Sequence, residues 1–161
     1  MFETEWIQAM QSKTSQVLDQ LAPAGYWFKL KEEAIGQQVW YVQEIGKEVW
    51  VKKIVWEVDK DNRKYFGPGH AARLLISSFE PQLSITEKQL TTTELALYQK
   101  KRQELHLQLP IRDGILLGSM GVRVEIIQTT YQLKLLATNL EDWPILTSFI
   151  ETLEEWLRQE Q

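Results

Sequence analysis

The chain has 161 residues, 43% hydrophobic and 25% charged, with a net charge of −4 and no cysteine. That length points to one domain, residues 1–161, large enough to fold around a core without staples, and the missing cysteine excludes disulfides and thiolate chemistry. The acidic balance argues against non-specific nucleic-acid binding by the whole surface, and no stretch approaches the roughly 20 apolar residues of a membrane span. The first residues, Met-Phe-Glu-Thr-Glu-Trp, lack the basic region and apolar run of a secretory signal. A soluble cytoplasmic protein is the expectation.

Residues 3–21 read as a helix, with Trp6, Ile7, Met10, Val17, Leu18 and Leu21 at helical spacing. The stripe thins over 12–16, so contacts are expected at the two ends of this helix. Pro23 and Gly25 stop it. Residues 26–31 alternate as a strand, with Tyr26, Phe28 and Leu30 on one face and Trp27, Lys29 and Lys31 on the other. Ala34, Ile35 and Gly36 then turn the chain.

Residues 38–59 are the centre of the sequence. They hold three of the seven tryptophans among Val, Ile and Tyr, residues that suit a pleated surface. Gly46-Lys47 divides them into two strands, and a Gly-X pair suits a type II′ turn. That register sets Val42 against Val51, Val39 against Ile54 and Trp40 against Lys53. One face then carries Val39, Tyr41, Ile45, Trp50, Ile54, Trp56 and Val58, the expected core face. The other carries Trp40, Val42, Val49, Val51 and Val55, mixed with Gln38, Glu44, Lys53, Glu57 and Asp59. Either a helix of the same chain covers this second face or a partner does. A C-terminal helix with one clean stripe can cover only one face, so Trp40 and Val42 are expected to stay partly accessible.

Residues 59–64 read as a solvated turn. A short helix is expected from near His70, with Ala71, Leu74, Leu75 and Phe79 apolar. Ser84-Ile-Thr-Glu87 and Thr91-Thr-Thr-Glu94 both match the capping box of a helix start. The second predicts a helix to residue 104, with Leu95, Leu97 and Tyr98 inward. Leu105, Leu107 and Leu109 alternate with His106 and Gln108, which suggests extended chain with His106 pointing outward. After turns over 110–121 around the apolar run 115–117, Val122, Val124 and Ile126 and then Tyr131, Leu133 and Leu135 predict a second hairpin. Asp142 is a candidate N-cap for a last helix with Pro144 in its first turn. Its stripe of Leu146, Phe149, Ile150, Leu153, Trp156 and Leu157 is the clearest in the chain. The order predicts an α+β fold: an antiparallel sheet of two hairpin units with N-terminal, middle and C-terminal helices packed on it.

The catalytic inventory is thin. There are two histidines and no cysteine, so the usual zinc sets are missing. No phosphate-loop, dinucleotide or nucleophile-elbow motif occurs. Asp59 and Asp61 resemble the start of a calcium loop without its later Gly and Glu. The adjacent pairs Glu32-Glu33 and Glu154-Glu155 diverge in regular structure and read as solvated. Gly67-Pro-Gly-His-Ala-Ala-Arg73 is the best candidate binding site, in which Gly69, His70 and Arg73 would hold an anion at a helix start; a plain strand-to-helix turn is the better explanation, because the spacing is not that of a phosphate loop.

These observations predict a non-enzymatic interaction or assembly domain with no cofactor and no metal, whose partner is another protein or a second copy. The interaction surface is expected at Trp40, Val42, Val49, Val51, Lys53 and Val55. The alternative is a module for single-stranded nucleic acid that uses the basic and aromatic residues of 47–73. A small-anion or ligand site at Gly67–Arg73 comes third.

Overall fold

A computed structural model of the chain describes residues 2–32, 37–66, 78–108, 122–127, 132–137 and 144–159. Four helices, α1 (Phe2–Gln20), α2 (Val58–Phe66), α3 (Thr92–Gln108) and α4 (Pro144–Arg158), accompany six strands: β1 (Tyr26–Glu32), β2 (Gln38–Ile45), β3 (Glu48–Trp56), β4 (Leu83–Gln89), β5 (Val122–Ile127) and β6 (Gln132–Ala137). The strands form one sheet in the order β4-β3-β2-β1-β5-β6, and every neighbouring pair is antiparallel. The fold is α+β, as the element order predicts.

The central hairpin has the expected register, with Val42 opposite Val51 and Trp40 opposite Lys53. Gly46 has φ 61°, and no other residue type among those described has positive φ. Lys47 therefore keeps a negative φ, which selects type II′ over type I′.

Three local readings are corrected. Residues 59–64 are not a solvated turn but part of α2, in which Asp61 is buried. Ser84-Ile-Thr-Glu87 lies inside β4, not at a helix start; the same residues alternate as a strand, and the free edge of β3 decides between the patterns. Residues 105–108 continue α3, so His106 is helical rather than on a strand, and Leu97 is exposed. The capping box at Thr91 does form. The Thr91 N–H donates to Glu94 Oε2 at 2.8 Å, and the Glu94 N–H donates to Thr91 Oγ1 at 3.3 Å.

Helices pack on both faces of the sheet. α3 and α4 pack on one, where Tyr98, Leu105, Phe149, Leu153 and Trp156 meet Phe28, Leu30, Trp40, Val42, Val51 and Val124. α1 packs on the other, with Leu18 on Val39, Tyr41 and Ile54, and Met10 on Trp56 and Phe79. The larger core is therefore on the face expected to be half open. Trp27 joins it beside Phe28, although strict alternation would oppose them. The register slips between Tyr26 and Phe28, and a bulge of that kind turns two successive side chains to one side. Nor does α1 pack only at its ends. Thr14 in its middle is buried, Lys31 bonds to Ser15, and Gln37 Nε2 donates to the Gln11 carbonyl at 3.1 Å.

Of the expected core residues Trp50, Ile54 and Trp56, Ile54 and Trp56 are buried and Trp50 is only half-buried. Phe149, Ile150 and Leu153 are buried as expected. This sets a stability order. Trp40→Ala is expected to cost about 3–5 kcal/mol, the range for a buried aromatic. Trp50→Ala is expected to cost about 1 kcal/mol or less. Urea melts of the two variants with equal slopes measure the difference.

Candidate functional site

The residues expected to form an interaction surface are interior ones. Trp40 is 2% exposed, and Val42, Val49 and Val51 are buried with it beneath α3 and α4. Lys53 and Val55 are half-buried at the margin. The reading fails because the charges on this face are matched from the helices. Glu154 of α4 accepts the Trp40 indole N–H at 2.9 Å and pairs with Lys53, whose ammonium lies 5.0 Å from the Trp40 ring centroid. Glu154 is thus a structural acceptor and not a solvated acid. At the other end of this face, the Trp27 indole donates to Tyr98 Oη at 2.7 Å, and Tyr98 donates to Glu44 at 2.6 Å. Arg102 pairs with Glu44 at 2.9 Å and stacks on Trp27. Burial, then the Glu44 carboxylate, pushes the Tyr98 hydroxyl well above its ordinary value, so Tyr98 serves as a donor and not as an acid.

The opposite face is only partly covered. α1 is seated by charge. Lys31, itself buried, donates to Ser15 Oγ at 2.6 Å, to Asp19 at 3.0 Å and to the Ser15 carbonyl at 3.2 Å, and Lys29 reaches Asp19 at 2.7 Å. Burial acts to raise the Asp19 carboxyl, and the two lysines outweigh it, holding the group below its ordinary value. Tyr41 donates to the Leu18 carbonyl at 3.0 Å. Lys52 donates to the Leu21 carbonyl at 3.4 Å, where a cation suits the end of a helix.

Beyond that end the sheet is less covered: Ile45 is 51% exposed and Trp50 is half-buried. Ile85, on the edge strand opposite the buried Ile54, is also 51% exposed. Cross-strand partners share a face, so Trp50, Gln43 and Gln89 line up there, as do Lys52 and Glu87 and the pair Ile45 and Glu48. A shallow cleft lined by Pro23, Tyr41, Gln43, Trp50, Lys52 and Glu87 borders the patch. Sequence reasoning placed Ile45 and Trp50 in the core and took Ile85 for part of a helix cap. The signal for Ile85 was the alternation of Leu83, Ile85 and Glu87 after Pro81.

The patch offers apolar contact and mixed charge. Among the described residues no group of three or more His, Asp or Glu is placed to hold a metal, and no helix is long and apolar enough to cross a membrane. Gly69, His70 and Arg73 lie outside the described residues, as does Asp142. Asp61, the second acid of the calcium-like run, accepts the Trp56 indole N–H at 2.7 Å and the Gln82 N–H at 2.9 Å. It fastens α2 to the start of β4. Comparison with protein-family models, with curated proteins and with solved structures finds no match.

One pH dependence follows from the paired charges. Lys88 and Glu94 meet at 2.8 Å with little solvent exposure. Burial acts to raise the Glu94 carboxyl, and its bonds from Lys88 and Thr91 outweigh this, leaving it below the ordinary 4.5. A carboxyl depressed in the folded state stabilises fully above its unfolded value, and that stabilisation disappears as pH falls through the folded one. Urea midpoints measured from about pH 6 to about pH 3 are expected to show a shallower acid decline in Glu94→Gln than in the wild type.

Proposed function

We propose that the chain is a non-enzymatic interaction or assembly domain that docks another protein chain on the uncovered end of its sheet. The observation that carries this reading is the exposed Ile45 and half-buried Trp50 past the end of α1, with Ile85 exposed farther along the same face on β4. Exposed aliphatic and aromatic groups with a polar rim form the usual centre of a protein interface, where aromatic anchors dominate the binding energy. Here the rim is Gln43, Glu48, Lys52, Glu87 and Gln89. The composition agrees, with two histidines and no cysteine for chemistry.

The nucleic-acid alternative draws less support. A single-strand binder needs basic side chains free to meet phosphate and aromatic faces free to stack. Lys53 and Arg102 are committed to Glu154 and Glu44, and they cover the faces of Trp40 and Trp27.

A photo-crosslinking residue placed at position 50, with position 97 on the exposed side of α3 as control, tests the interaction reading in the source cell. The expected result is a discrete protein adduct from position 50, absent at position 97 and abolished by Ile45→Glu while the fold persists by circular dichroism. The same smear from both positions, or no adduct, overturns it. Single-stranded oligonucleotide is expected to leave tryptophan fluorescence unchanged at low salt; quenching that weakens steeply with added salt would favour the alternative.

A further inference from the structure

We propose that two copies of the chain join by antiparallel pairing of β4 with β4 about a two-fold axis at Thr86. The inference goes beyond the interaction reading above: it engages the edge of the sheet and leaves Ile45 and Trp50 open. β4 is an outer strand of the sheet, and among the described residues no strand pairs with its far side. The ladder shows which groups face outward. The Leu90 N–H donates to the Val49 carbonyl at 2.9 Å, and the Glu57 N–H to the Gln82 carbonyl at 2.8 Å. Antiparallel pairing alternates bonded and non-bonded residues, and the β3–β4 register runs without a slip. The even-numbered residues from 82 to 90 therefore spend their backbone groups on β3. Leu83, Ile85, Glu87 and Gln89 turn their N–H and C=O groups outward, and their side chains share the open face with Trp50 and Lys52.

Natural edge strands usually carry a bulge, a proline or a guarding charge against such pairing. β4 has no bulge and no proline over its seven residues. Its charges are Glu87, exposed on the open face, and Lys88, which points to the helix side and is paired with Glu94.

The register is chosen by the residues. An axis between two residues would set an outward residue against one already bonded to β3. An axis on Glu87 sets that carboxylate against itself, which is repulsive. An axis on Ile85 sets Gln89 against Pro81, which has no N–H to give. An axis on Thr86 sets Leu83 against Gln89, Ile85 against Glu87 and Ser84 against Lys88, with no like charges opposed. Every outward N–H and C=O of β4 then finds a partner. Thr86 faces its own copy, a favourable cross-strand pair; the two exposed Ile85 side chains lie on one diagonal and the two Glu87 carboxylates on the other, each carboxylate directly opposite an Ile85 and not its own copy. Two six-stranded sheets become one continuous sheet, with both Trp50 patches on the same side.

The absence of cysteine makes the test unambiguous. In this register the two Thr86 residues form a non-bonded pair with Cα atoms about 4.5 Å apart, within the range a disulfide spans. Mild oxidation is expected to convert the Thr86→Cys chain to covalent dimer at least about tenfold faster than Ser84→Cys, whose thiol faces Lys88 instead. In sedimentation equilibrium the wild type is expected to dimerise with rising concentration. Glu87→Pro removes an outward N–H while leaving the β3 ladder whole, and is expected to be monomeric with an unchanged circular dichroism spectrum. Ile85→Lys gives the same readout if the proline variant fails to fold. A monomeric wild type at every concentration, a dimer that survives these substitutions, or equal crosslinking at positions 84 and 86 overturns the proposal. A monomer that still gives a specific adduct from position 50 with a different protein overturns self-pairing alone; a monomer with no adduct overturns both readings.

Discussion

Glu154 is the contact on which the larger core depends. It takes the indole N–H of Trp40 and the ammonium of Lys53 from across the sheet, over a separation of 114 residues in sequence for the tryptophan. A buried indole N–H without an acceptor loses its bond to water and gains nothing in return. A half-buried lysine is in the same position. With one carboxylate serving both groups, the apolar stripe of α4 can settle on Trp40, Val42 and Val51. Glu44 does the corresponding work for α3, joining Tyr98 and Arg102. A helix with a strong apolar face, such as α4, would be drawn to any exposed apolar sheet; the carboxylates at 44 and 154 help determine that α3 and α4 seat here.

The face under α1 is assembled differently. α1 has a weak apolar stripe, and it is held by Lys29, Lys31, Gln37 and Tyr41 reaching up from the strands to its backbone and to Ser15 and Asp19. Such bonds are directional, so the helix lies where those groups end and not wherever apolar surface remains. It stops at Leu21, and Pro23 and Gly25 lead the chain down into β1. Ile45 and Trp50 beyond that end, and Ile85 on the edge strand, are apolar surface that no described helix covers fully, and they are the basis of the proposed docking surface.

The distribution of charge supports a protein partner over a polyanion. Among the described residues, Lys53, Lys88 and Arg102 meet Glu154, Glu94 and Glu44, and Lys29 and Lys31 share Asp19, which takes these cations out of the field that phosphate binding needs. The open patch keeps both signs, Lys52 beside Glu87 and Lys47 beside Glu48, and suits a surface that discriminates by register and shape.

The element types were legible in the sequence wherever the deciding chemistry is local. Gly46 fixes the hairpin turn and with it the register of β2 and β3. Thr91 and Glu94 cap α3 reciprocally, and the period of Leu146 to Leu157 makes α4. The candidate site was not legible, for reasons that are all long-range. Whether Lys53 marks solvent or interior depends on Glu154, and whether Trp27 follows the alternation of β1 depends on a slip against β2. Ser84-Ile-Thr-Glu87 fits a helix cap and a strand equally well until the edge of β3 is there to bond it. Periodicity reports which residues share a face. Only the tertiary structure decides which face is covered, because that depends on where distant polar groups find their partners.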